Sequence, residues 1–189
     1  MQLTPIPPGV EAILLTLVLG AAVYDVRYRR IPNWLTASGV VVGLAINTFL
    51  GRFNISPGWA GLRFSLAGFA LGFGAYFLLY ALRAMGAGDV KMMGAVGAMV
   101  GWENWFGIFV ITAILGGIMA FILVVAKKRL SKTFFNVGII INEMKAGRPA
   151  YLAKEELDVK SPKALGLPHG AVIAVGVLFF LAATAHFTK

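Results

Sequence analysis

Apolar segments dominate this chain and restrict it to folds that a lipid bilayer can accommodate. Of its 189 residues, 59% are hydrophobic and 13% are charged, and the mean hydropathy is +0.81. A helix that spans a bilayer needs roughly 20 apolar residues. Six segments approach or reach that length: residues 10–24, 34–50, 61–82, 90–101, 105–126 and 170–187. We therefore predict an all-α polytopic membrane protein, a single domain over residues 1–189 with six transmembrane helices, of which the fourth is short.

Basic residues are concentrated in every second connection between the predicted helices. One side of the membrane receives 14 of the 17 lysines and arginines, and the opposite side keeps only Arg52, Arg63 and Lys189. This asymmetry places the basic side in the cytoplasm and the N-terminus outside. Topology and attraction to anionic lipid headgroups explain the net charge of +9, so we expect lipid and not nucleic acid as a partner.

One connection is long and basic, residues 127–168, between the fifth and sixth predicted helices. Its stretch "FFNVGIIINEMKAG", residues 134–147, is apolar over much of its surface. We predict that this stretch is a helix that either lies in the membrane interface or packs on the bundle. The polar, proline-bounded residues 148–168 are predicted to form a mobile cytoplasmic connector.

Three pairs of glycines recur at a spacing of four residues within the predicted helices: Gly39 with Gly43, Gly68 with Gly72, and Gly97 with Gly101. Small residues at this spacing let helix backbones approach closely in lipid. We predict a packing role for all three pairs.

Two aspartates, Asp25 and Asp89, stand at cytoplasmic ends of predicted helices. A carboxylate at the centre of a membrane helix costs about 2.5 to 3.5 kcal/mol, and less near the interface, so its presence is a functional hypothesis by default. Two structural alternatives stay open: Asp89 as a helix N-cap, and Asp25 as the ion-pair partner of a neighbouring arginine. The functional hypothesis pairs the two acids across the bundle.

Two carboxyl groups held close together cannot readily both ionise, so they share one proton. The carboxylate can then deprotonate a water while the acid hydrogen-bonds the peptide carbonyl under attack. The glycines of "GAGD", Gly86 and Gly88, would let a substrate strand approach the backbone, although a plain turn explains them equally well.

This chemistry requires no metal and no cofactor, and we expect neither. The chain has no cysteine, which excludes a thiolate zinc site and a cysteine nucleophile. His169 and His186 lie 17 residues apart and are interpreted as interfacial residues, not as a metal pair.

At three stretches the chain resembles the type IV prepilin peptidase family of membrane aspartic proteases, which carry a Gly-x-Gly-Asp signature. These are "DVRYRRIPN", "GAGDVKMMGAVGAMVGW" and "LPHGAVIAVG", which begin at residues 25, 86 and 167. In the last of these, His169 replaces a more usual aromatic residue.

The resemblance implies six helices and cleavage of short basic leaders from prepilins or pseudopilins at the cytoplasmic face of the inner membrane. It implies that Asp25 and Asp89 are the catalytic pair and that Gly86 and Gly88 shape the site. Lys91 and Asn33 are supporting residues with unassigned roles.

The chain departs from the larger bacterial members, which carry paired CxxC motifs between the first two helices and methylate the new N-terminus. Here only residues 25–33 separate those helices and cysteine is absent. N-methyltransferase activity is therefore not expected, and the compact form is similar to the peptidases of tight-adherence (Flp) pili. Archaeal preflagellin peptidases are also small.

Two other functions compete with this interpretation. The presenilin and signal-peptide-peptidase group also pairs Tyr-Asp, here Tyr24 and Asp25, with Gly-x-Gly-Asp, but its members have nine helices and a Pro-Ala-Leu element. A small ion or proton carrier could use the same aspartates as a relay, which predicts aspartates near mid-membrane and inverted repeats.

Overall fold

The computed structural model describes residues 6–51, 55–159, 161 and 167–187, and this part of the chain is helical. The helices are α1 (Pro8–Tyr28), α2 (Asn33–Phe49), α3 (Trp59–Ala81), α4 (Ala87–Ala126), α5 (Leu130–Lys145) and α6 (His169–Phe187). Two 3₁₀ turns, Ala150–Leu152 and Glu155–Leu157, follow α5. The predicted all-α class is confirmed. Several residues used in the sequence predictions lie outside the described part: Arg52, Lys160, Lys163, Lys189 and the side chain of His186.

By length and composition, three of the described helices can cross a membrane: α1, α3 and α4. The described apolar stretch of α6, His169–Ala185, is shorter. Six transmembrane helices therefore remain a prediction, although each of the six apolar segments is helical.

Helix α4 consists of two arms, residues 87–100 and 102–126, which meet at Gly101. This glycine has φ 78° and ψ 174°, a conformation that is not helical and that other residues rarely adopt. The ring of Phe64 occupies the place where a Cβ on Gly101 would stand. The predicted fourth and fifth segments are thus separate helical arms joined at one residue.

The N-terminal arm of α4 is the centre of the bundle. Residues 92–101 are all buried, and α2, α3 and α6 pack around α4, while α1 packs on α6. A helix that is apolar on all sides is typical of a protein core or of a membrane span. Two buried polar side chains bind the carbonyl oxygen of Ala98: the Asn47 amide at 2.9 Å and the Ser65 hydroxyl at 2.5 Å.

Glycines let the neighbouring backbones reach this central arm. A Cβ on Gly68 of α3 would collide with the carbonyl of Gly97, and a Cβ on Gly43 of α2 would lie 2.9 Å from the backbone of Ala98 and Met99. The other members of the three glycine pairs are equally tight against neighbouring helices: Gly39, Gly72 and Gly101. The close packing predicted for the pairs is confirmed.

The start of the connector after α5 folds back on the turn between α3 and α4. The Arg83 guanidinium donates to Asp158 Oδ2 at 2.6 Å and lies 4.8 Å from the centre of the Tyr151 ring, and the Val159 N–H donates to the Arg83 carbonyl at 3.0 Å. The hydrogen bond with Asp158 also raises the pKa of Arg83. Residues 150–159 therefore differ from the mobile connector predicted for them, because long-range polar contacts order them.

The glycine packing predicts a difference between two alanine substitutions in α3. Gly68→Ala forces a methyl group into the backbone of α4 and should destabilise the protein by about 1–3 kcal/mol. Gly74→Ala is the matched control because a Cβ there meets nothing within 4 Å. Thermal unfolding in detergent should show a lower midpoint for Gly68→Ala only. Equal midpoints would contradict the proposed backbone contact.

Candidate functional site

Asp25 lies in the last turn of α1 and is buried, with 8% of its surface exposed. Helix α1 ends because Arg29 adopts a left-handed conformation, φ 54°, and its N–H donates to the Asp25 carbonyl. The Asp25 side chain reaches the start of α6, where Oδ2 accepts a hydrogen bond from the Gly170 N–H at 2.8 Å. The N-terminus of a helix is a favourable place for a carboxylate because its N–H groups lack partners within the helix.

Asp89 is half-buried in the first turn of α4. Gly86 is the N-cap of this helix, so the structural alternative that made Asp89 the N-cap is wrong. The Asp89 carboxylate instead lies close to this N-cap, since a Cβ on Gly86 would lie 3.3 Å from Asp89 Oδ2. Asp89 is the third residue of the helix, a position from which an acidic side chain can reach back towards the helix start.

The two carboxylates line the same open cavity, whose volume is about 610 Å³. The fold brings them to one cavity although they lie 64 residues apart in the sequence. All six site residues predicted from the sequence line this cavity: Asp25, Asn33, Gly86, Gly88, Asp89 and Lys91. The structure therefore brings together every residue of the predicted site.

Ile31 connects the three parts of the chain that form the site. It lies in the short turn between α1 and α2 and is buried. A Cβ on Gly88 would lie 3.2 Å from the Ile31 side chain, and a Cβ on Gly170 would lie 3.1 Å from its Cδ1. Ile31 is thus held between Gly88, which precedes Asp89, and Gly170, whose N–H binds Asp25.

Lys91 and Asn33 stand on the side of the cavity formed by α2 and α4. The Lys91 ammonium donates to Asn33 Oδ1 at 2.9 Å and so joins the first turn of α4 to the first residue of α2. Arg29 and Arg30 also line the cavity and make its rim basic.

No role was predicted for Gly170 or Tyr76, and His169 was predicted only as an interfacial residue. Gly170 donates to Asp25, His169 precedes it at the start of α6, and the His169 and Tyr76 rings are 6.0 Å apart. His169 Nε2 is buried without a hydrogen-bond partner among the described residues. The signal that could have indicated these residues is a histidine and a glycine at the start of an otherwise apolar helix.

The arrangement provides two acidic groups, a backbone donor and an open space large enough for a peptide segment. In the described part of the chain, no group of three or more His, Asp or Glu residues is placed to hold a metal ion. The chemistry that these residues offer is proton transfer to and from a bound water or carbonyl group.

Comparisons with known proteins indicate the family of the chain. A profile of the Type IV leader peptidase family matches residues 12–121, a region that contains both aspartates. The chain is 29% identical over 117 residues to the prepilin leader peptidase/N-methyltransferase of Pectobacterium carotovorum subsp. carotovorum, a region covering 58% of this chain and 39% of that protein. It is 29% identical over 118 residues to the protein of the same name from Escherichia coli (strain K12), covering 61% and 51%.

The prepilin leader peptidase/N-methyltransferase of Aeromonas salmonicida (strain A449) is 30% identical over 122 residues, covering 62% of this chain and 41% of that protein. The matched region thus spans 39% to 51% of the length of these three relatives. No solved structure matches the chain. The relatives and the apolar helices together indicate an integral membrane protein. Because the family profile covers more than half of the chain, the protein belongs to the type IV leader peptidase family.

Proposed function

We propose that this protein is an aspartic endopeptidase that removes the short basic leader from type IV prepilins or pseudopilins. The observation that carries the proposal is the presence of Asp25 and Asp89 in one cavity, at the ends of two different helices. The family supplies the substrate class, and the cavity supplies a chemistry that can hydrolyse a peptide bond.

The hydrolysis uses one proton shared between the two carboxyl groups. The ionised group takes a proton from a water molecule, whose oxygen attacks the carbon of the scissile carbonyl. The protonated group gives its proton to the carbonyl oxygen. The C–N bond of the resulting tetrahedral intermediate then breaks: the leaving nitrogen receives the proton that came from the water, and one hydroxyl of the intermediate returns a proton to the other carboxylate, which restores the shared proton.

The starts of two helices orient the acids in this mechanism. Asp25 accepts a hydrogen bond from the Gly170 N–H of α6, and Asp89 lies against the start of its own helix at Gly86. Side chains that are preorganised in this way keep the water and the carbonyl in reacting geometry, which supplies much of the rate. Gly86 and Gly88 leave the backbone beside Asp89 open to a substrate strand.

The cavity lies on the basic side of the protein, which we assign to the cytoplasm. Arg29, Arg30 and Lys91 line it, and the contact between Arg83 and Asp158 brings the basic connector to the turn that precedes Gly86. We propose six membrane-crossing helices with the N-terminus outside and the site at the cytoplasmic face of the inner membrane. A basic leader in the cytoplasm would then meet the site where its apolar segment enters the bilayer.

We expect Asp25→Asn and Asp89→Asn each to abolish leader removal, by at least about 100-fold, because each removes a group that transfers a proton. The assay is co-expression with a prepilin, read by the size and new N-terminus of the product. Glu11→Gln is the matched control because it changes a carboxylate at the other end of α1. Normal trimming by either Asn variant would contradict the mechanism.

Gly170→Ala should slow cleavage by about 10- to 100-fold without loss of folding, because the added Cβ would lie 3.0 Å from Asp25 Oδ2 and displace the carboxylate. Single-turnover cleavage in detergent measures this effect. Gly117→Ala is the control, since a Cβ at that position meets nothing within 4 Å. An unchanged cleavage rate with an unchanged thermal midpoint would show that Gly170 does not position Asp25.

We propose that the protein does not methylate its product, because residues 29–32 alone join α1 to α2 and the chain has no cysteine. Mass spectrometry of the product, formed in the presence of S-adenosylmethionine, should show an unmodified N-terminus. An added methyl group that depends on the purified protein would contradict this part of the proposal.

A further inference from the structure

Helix α5 carries an exposed apolar stripe formed by Leu130, Phe134, Val137, Ile141 and Met144. These residues are spaced by four and three positions, so they lie on one face of the helix over about 21 Å. Phe134 is 72% exposed and Met144 is 63% exposed, although both are large and apolar. A water-exposed stripe of this size needs a covering partner.

The opposite side of α5 already has a partner within the chain. Lys132 donates to Glu156 Oε1 at 2.7 Å, and Lys154 donates to Asn136 Oδ1 at 2.7 Å. The hydrogen bond from Lys132 lowers the pKa of Glu156, as expected for a carboxylate that accepts a bond from a cation. The two 3₁₀ turns after α5 therefore fix its rotation and leave the apolar stripe facing away from them.

Both ends of the stripe carry cations. Lys127, Lys128 and Arg129 precede the helix, and Lys145 and Arg148 stand at its end. Cationic groups that flank an exposed apolar face are typical of helices that lie in the headgroup region of a bilayer with anionic lipids.

The end of α4 that precedes α5 is apolar and exposed. The C-terminal arm of α4 exposes large apolar side chains down to its last turn, among them Ile118, Phe121, Ile122 and Val125. Lys128, with φ 53°, then turns the chain between α4 and α5. If α4 crosses the membrane, α5 begins close to the depth where lipid headgroups lie.

We propose that α5 is a binding surface for anionic phospholipid and lies in the headgroup region with its apolar stripe towards the acyl chains. A second copy of the chain is a poorer partner. The stripe covers only two heptads, whereas coiled coils need three or four, and cations at both ends would repel an identical helix. The proposal does not depend on the peptidase activity.

The test uses single-cysteine variants of the full chain, which has no cysteine of its own. Phe134→Cys and Ile141→Cys carry a fluorescent thiol probe on the stripe, and Asn142→Cys carries it on another exposed position of α5. The protein is reconstituted in vesicles of phosphatidylcholine with phosphatidylglycerol that contain spin-labelled lipid. Thermal midpoints confirm that each variant is folded.

We expect strong quenching by shallow spin labels at positions 134 and 141 and weak quenching at position 142. Quenching on the stripe should fall in pure phosphatidylcholine and in the triple variant Lys127→Gln/Lys128→Gln/Arg129→Gln. Equal quenching at all three positions would overturn the proposal. Quenching that is the same with and without anionic lipid would also overturn it. A pyrene probe at position 134 tests for a second copy of the chain, because excimer formation would place two stripes together and overturn the proposal.

Discussion

The close contact between backbones around the N-terminal arm of α4 is the constraint on which the rest of the structure depends. In lipid, no hydrophobic force pulls apolar helices together, so packing must come from dispersion contacts at short range and from hydrogen bonds. Gly43 and Gly68 bring α2 and α3 against the arm, and the Asn47 and Ser65 side chains bind its carbonyl groups. This packing fixes the height and rotation of α4, the helix that follows Gly86 and carries Asp89.

The second carboxylate is positioned by a different set of contacts. Asp25 stands at the end of α1, and its orientation is set by the N–H of Gly170 at the start of α6. Ile31 packs against Gly88 and Gly170, so the turn after α1 is tied to both the α4 and α6 sides of the cavity. The glycines around the site therefore have two functions: they leave space for the Ile31 side chain, and they keep the backbone beside the acids open.

Hydropathy predicted the positions of the apolar helices well, because the composition of each segment alone makes it helical in lipid. The packing glycines were predicted from local spacing. Asp25 and Asp89 were singled out as acids at the ends of membrane helices, and the resemblance assigned them a catalytic role and added Lys91 and Asn33; all four line one cavity. The contact between Gly170 and Asp25 was not predicted, because it joins groups 145 residues apart through a backbone N–H that has no sequence signature. The order in residues 150–159 was missed for a similar reason, since it depends on Arg83, a distant residue whose only local signal is its charge.

The central claim is that Asp25 and Asp89 face each other across one cavity in the membrane-embedded protein. Because the chain has no cysteine, the double variant Asp25→Cys/Asp89→Cys contains just two thiols. A short bifunctional thiol reagent applied to native membranes, followed by mass spectrometry of the peptides, measures their proximity. The account predicts an intramolecular cross-link between the two peptides, and none in the pair Glu11→Cys/Asp89→Cys. A yield for the Asp25 pair no higher than for the Glu11 pair would contradict it.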